Sequence, residues 1–134
     1  MRVKILLLGL ILIFLSLSLF ASKNFNFFTP LFTDPVERVY FIMKDGMLFK
    51  HTDCYENVIY MRIEELEKEL RTSERAYKIK DIAIVIHNHR TNKYFTPEDI
   101  SQHKILKEYG FNGLFMIYCH MTNKTYCLRD QEKR

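Results

Sequence analysis

The chain has 134 residues, one domain's worth, and with 48% apolar and 27% charged residues it is neither disordered nor fibrous. Lys plus Arg is 20 and Asp plus Glu is 16. Setting aside Arg2 and Lys4, which precede an apolar run, leaves 18 against 16, a net of +2, without the clustered basic footprint of a nucleic-acid-binding surface. Four Gly and three Pro exclude a repeat or low-complexity design, and three Cys are too few for a disulfide scaffold.

Residues 5–21, ILLLGLILIFLSLSLFA, carry no charge and follow two basic residues, the pattern of a secretory signal. Ala21 is small but Leu19 is not, so a small-x-small cleavage site fails there, and Ser16 and Ser18 satisfy it only inside the apolar core. Residues 1–22 therefore read as a signal peptide or as an uncleaved signal anchor. Positive charge on the N-terminal side places the rest of the chain outside the cytoplasm, in the periplasm or at the cell surface. Residues 23–34 read as a juxtamembrane linker. Its Phe-rich stretch KNFNFFTPLFT lies at a membrane interface or covers an edge of the domain.

A domain is expected over residues 35–128, with a polar tail at 129–134. Residues 37–43, ERVYFIM, predict a strand, Lys44-Asp45-Gly46 a hairpin turn, and residues 47–51 its partner. Residues 58–61 predict a third short strand. Ile63, Leu66 and Leu70 then set the stripe of an amphipathic helix over 62–76. The run IAIVI at 82–86 suits a strand buried on both faces. A second helix is expected over 97–109, with Ile100, Ile105, Leu106 and Tyr109 as its apolar set and Gly110 at its end. Strands at 113–120 and 125–128 complete the order β-β-β-α-β-α-β-β. This is an α/β (α+β) domain, a mixed β-sheet with two packed helices.

The segment 86–100, IHNHRTNKYFTPEDI, carries the chemistry. His87 and His89 are two apart at the end of a strand, so both imidazoles share one face while Asn88 faces away. Asp99 follows ten residues later near a helix start. Two imidazoles and a carboxylate are a known ligand set for catalytic zinc, leaving a fourth position for water. Thr96-Pro97-Glu98-Asp99 also has a purely structural reading. Thr96 is a good N-cap, Pro97 a good first helical residue, and Asp99 falls where a short acid imitates a capping box. One carboxylate has two oxygens and can do both.

His87-x-His89 followed by Thr96-x-x-Asp99 resembles the metal motif of the JAB/MPN (JAMM) zinc metalloprotease family, and its wording is most similar to the bacterial RadC-like and JAB-like branch. The family pattern spaces its second His and its Ser by seven residues; here the gap is the six of RTNKYF, Arg90 stands where Pro usually follows, and Thr96 replaces the Ser. The resemblance implies a JAB/MPN-like (cytidine-deaminase-like) domain that binds Zn2+ through His87, His89 and Asp99. It implies hydrolysis of a peptide or isopeptide bond, with Glu37 as the acid-base group and Thr96 as oxyanion support. Chemistry also asks for a carboxylate near a metal-bound water. Glu56 is the rival to Glu37.

Other readings stand beside this one. A non-catalytic binding module on the same scaffold, anchored in the envelope, is one alternative. An exported domain with incidental histidines is another. The partners are a peptide or protein substrate and, if the N-terminal segment is uncleaved, the membrane. His103, four residues after Asp99, either orients that carboxylate or sits on the helix surface. His51 and Cys54 offer a weak second metal pair. Cys119 and Cys127 flank Asn123 symmetrically, so a hairpin sets them opposite each other, as a disulfide or as two small apolar side chains. Cys54 is left unpaired in either case. Asn123-Lys124-Thr125 is a glycosylation sequon.

Overall fold

The computed structural model describes residues 26–51, 54–55, 58–59 and 62–131. The signal or anchor segment 1–22 and Glu56 lie outside the described residues. Among the described residues, no helix is long and apolar enough to cross a membrane.

The architecture is mixed α and β. A five-stranded sheet is built from β1 (Val39–Met43), β2 (Leu48–His51), β5 (Ile82–His89), β6 (Leu114–Cys119) and β7 (Lys124–Cys127), in the order β2-β1-β5-β6-β7. A separate two-stranded ladder joins β3 (Cys54–Tyr55) and β4 (Val58–Ile59), so the third predicted strand pairs locally; its residues 60 and 61 are outside the described set. Helix α1 is Ile63–Thr72, α2 is Pro97–Glu108, and a short α3, Leu128–Gln131, follows β7.

The β1–β2 hairpin closes at Gly46, whose φ of +91° needs a residue without Cβ. Asp45 braces this turn by accepting from the Tyr77 hydroxyl (2.6 Å) and Arg75 (2.7 Å), which follow α1. That clip, with Ala76 at φ +50°, ends the helix at Thr72 rather than at 76. α1 lays Ile63, Leu66 and Leu70 on the sheet.

Strand β5 is central, antiparallel to β1 and parallel to β6. A parallel pair needs a crossover, and α2 supplies it. The return into β6 is tight: a Cβ on Gly113 would meet the Ala83 carbonyl oxygen at 2.1 Å. β5 runs on past residue 86 because the ladder continues through His87↔Ile117, Asn88↔Tyr118 and His89↔Cys119. Backbone pairing, not side-chain polarity, decides where that strand stops.

The main core lies between the helices and one sheet face, with Phe41, Leu66, Leu70, Val85, Leu106 and Phe115 at its centre. In α2, Leu106 is buried, but Ile100 is 51% and Tyr109 43% exposed, against the apolar set expected for that helix.

The other face is covered by residues 26–32. Phe32, 3% exposed, stacks on Tyr118 at 5.1 Å and meets Tyr40 edge-on at 5.4 Å; Phe28 and Leu31 pack beside them. The domain therefore begins before residue 35, and the second half of the expected linker belongs to it.

The β6–β7 register is Met116↔Cys127 and Cys119↔Lys124. Cys119 and Cys127 are thus three rungs apart, not opposite, and both are free thiols. The turn is centred one to two residues earlier than Asn123, because Asn123 itself adopts φ +52° within it. Of the expected tail, residues 129–131 continue α3, whose first residue Leu128 is buried.

Candidate metal centre

His87 and His89 close β5 on the face that Val85 shares, the face carrying the helices. Both are buried. The loop from residue 90 to 96 turns the chain into α2 and brings Asp99 over them, so the six-residue gap spans the distance. The three donor groups converge. His87 Nε2 lies 3.0 Å from Asp99 Oδ1, His89 Nε2 lies 3.4 Å from Asp99 Oδ2, and the two Nε2 atoms are 3.1 Å apart. Ligands held around one small divalent ion at ~2.0–2.1 Å would be separated by ~3.3 Å, so the triangle has metal-site dimensions. Among the described residues, this trio is the one such group of three.

The ring tautomer supports the same reading. His89 Nδ1 faces the Asn92 carbonyl oxygen at 3.1 Å, so it must donate there. A neutral His89 then turns its Nε2 lone pair toward Asp99. Acceptors aimed at one point repel unless a proton or a cation sits among them. Burial favours neutral Asp99, but hydrogen bonds from His87 and His89 outweigh it and hold the carboxyl well below its usual range. Burial likewise disfavours charge on His89, yet Asp99 lifts its affinity for a proton above the ordinary value.

Thr96 is the N-cap of α2, and both halves of a capping box form. Thr96 N donates to Asp99 Oδ2 at 2.8 Å, and Asp99 N donates to Thr96 Oγ1 at 3.2 Å. Asp99 does both jobs: Oδ2 fixes the helix start, and Oδ1 points to His87.

Glu37 precedes β1, which starts at Val39 rather than at 37. Val39 pairs with His87, and the same antiparallel register carried two residues further sets Glu37 opposite His89. Its carboxyl is raised above its ordinary value by burial, opposed by attraction to His89 and His87; Asp99 and Arg90 also act on it. Glu37 thus stands in register with His89 and within electrostatic reach of the trio.

Asn88 faces away from the trio, as strand alternation predicts, and it does more. It is 0% exposed on the opposite sheet face. Its Nδ2 donates to the Val36 carbonyl at 2.9 Å and to His120 Nε2 at 2.8 Å, while its Oδ1 accepts from Arg38 N at 2.7 Å. The amide therefore grips the backbone on both sides of Glu37. A lone Asn between two His gives no sequence signal for this; only the strand register does.

His103 turns to the aromatic core, 5.1 Å from the Phe115 ring and 6.1 Å from Phe111. His51 is buried, with Nδ1 3.9 Å from a Glu69 carboxylate oxygen; the Cys54 side chain is outside the described set. No protein-family model, curated protein or solved structure matches the chain.

Proposed function

We propose that the protein is a zinc-dependent hydrolase of JAB/MPN (JAMM) type, similar to the RadC-like branch, acting on a peptide or isopeptide bond. The observation that carries the reading is the convergence of His87 Nε2, His89 Nε2 and an Asp99 oxygen within 4.8 Å of one another. Two nitrogens and one oxygen suit zinc better than magnesium or calcium, which prefer oxygen donors. Zinc held by three protein ligands keeps a fourth position for water and lowers that water's pKa to about 7. His89 is oriented for this by its Nδ1 bond to Asn92.

Glu37 supplies the acid-base group. Its raised proton affinity suits a carboxylate that takes a proton from the attacking water and gives it to the leaving amine. Thr96 Oγ1 accepts from Asp99 N and keeps its own hydroxyl proton free to donate to the oxygen that gains charge on the scissile carbonyl.

The full chain purified without chelator should carry about one zinc per chain by elemental analysis. His87→Ala should lose it, and a chelator should lower the melting temperature of the wild type alone. No bound zinc and a chelator-indifferent melting temperature overturn the assignment. Glu37→Gln should keep the zinc and lose cleavage of a peptide library. Zinc retained by a wild type that cleaves nothing identifies the non-catalytic module instead.

A further inference from the structure

The exposed apolar side chains are not scattered. Among the described residues, eight large apolar side chains are exposed, and five of them, Phe27, Val36, Tyr94, Ile100 and Met121, stand at one end of the sheet. The strand directions establish this. The ends of β5 and β6 coincide at His89↔Cys119, β1 starts opposite His87, and β7 starts opposite Cys119. Val36 precedes β1, Tyr94 is in the loop after β5, Ile100 is in the first turn of α2, and Met121 is in the β6–β7 turn. The other three, Met47, Leu48 and Tyr109, belong to the far end.

The N-terminal segment enters at this same end. Asn26 exchanges hydrogen bonds with Thr125 at 2.7 and 3.0 Å, and Thr29 Oγ1 donates to Asn123 at 3.3 Å. Phe27, between them, is 64% exposed. Residues 22–25 alone separate Asn26 from the uncharged run 5–21. At full extension four residues reach ~14 Å.

We propose that this end of the sheet is a membrane-docking face whose occupant is the surface of the bilayer that takes up residues 5–21. The short tether holds the apolar rim at the headgroup layer. Phe27, Ile100 and Met121 offer apolar contact, and Tyr94 has the amphipathic ring that favours an interface. Exposed Arg90, Lys93 and Lys124 stand at the same end, where Asp34, Glu37 and Glu98 offset their charge, so the apolar rim and the short tether carry the docking. His87, His89 and Asp99 then lie at the end of the sheet nearest the lipid surface.

The chain contains no Trp, so each substitution introduces a single indole that can be excited selectively over the tyrosines. The full chain, reconstituted in vesicles of phosphatidylethanolamine and phosphatidylglycerol with brominated acyl chains, is compared for four variants. Tyr94→Trp and Met121→Trp are expected to be blue-shifted and to lose about half of their emission or more, as interfacial indoles do. Tyr109→Trp and Met47→Trp should match their emission in unbrominated vesicles. Equal quenching of all four, quenching confined to the far pair, or failure of the full chain to sediment with the vesicles overturns the proposal. The readout does not depend on bound metal, so it stands apart from the hydrolase assignment.

Discussion

The two faces of β5 use one stretch of sequence in opposite ways. On the helix side, Val85 gives way to His87 and His89, and the strand ends in donor atoms converging on Asp99. On the other side, Ile86 gives way to Asn88, whose three hydrogen bonds are all satisfied. One face leaves acceptors crowded around a point that asks for a cation; the other leaves nothing unpaired. The alternation of a strand separates the two roles by a single residue, so chemistry and its mechanical support occupy adjacent positions without competing for space.

The largest expected effect breaks the first face. Asp99→Asn should weaken zinc binding at least ~1000-fold, or ~4 kcal/mol, in a competitive chelator titration. It keeps a capping acceptor at the start of α2, so helix content by circular dichroism should hold. Phe32→Ala tests the second face. Removing a buried ring stacked on Tyr118 should cost about 3 kcal/mol in denaturant unfolding while zinc stoichiometry stays at wild-type level.

Asn88→Ala sharpens the comparison. It strands the Val36 carbonyl and the Arg38 N–H and should cost about 2 kcal/mol. The sharper expectation is that zinc remains bound while any cleavage falls, because the grip around Glu37 is released; loss of zinc in this variant would make Asn88 a support of the ligand strand itself. The smallest effect is far from both faces. Asp45 is held at about 2 by the Tyr77 hydroxyl and Arg75. A depressed folded pKa contributes stability above the unfolded value near 3.8 and loses it as pH falls toward 2. The melting-temperature gap between wild type and Asp45→Asn should therefore close between pH 5 and about pH 2, with no change above pH 5.

Much of the frame was legible. Alternating and β-branched runs announce β1, β5 and β6, the i, i+3, i+4 spacing of Ile63, Leu66 and Leu70 announces α1, and His87, His89 and Asp99 mark the site. Other features were hidden because they depend on partners distant in sequence. The paired Cys119 and Cys127 fail on register, which the turn geometry sets. Ile100 follows helical periodicity but stays exposed, and periodicity cannot say which turns of a helix find a partner. Phe32 looked like linker because its partners, Tyr40 and Tyr118, lie in strands remote from it.

The sequence by itself determined which residues can donate to a metal and that two of them share a strand face, because that follows from a period of two. Only the tertiary structure decided that Asp99 closes the triangle, that Asn88 clamps the chain around Glu37, and that residues 26–32 cover the second face. Those outcomes depend on strand order, register and loop closure, quantities fixed by pairing between segments and absent from any one of them.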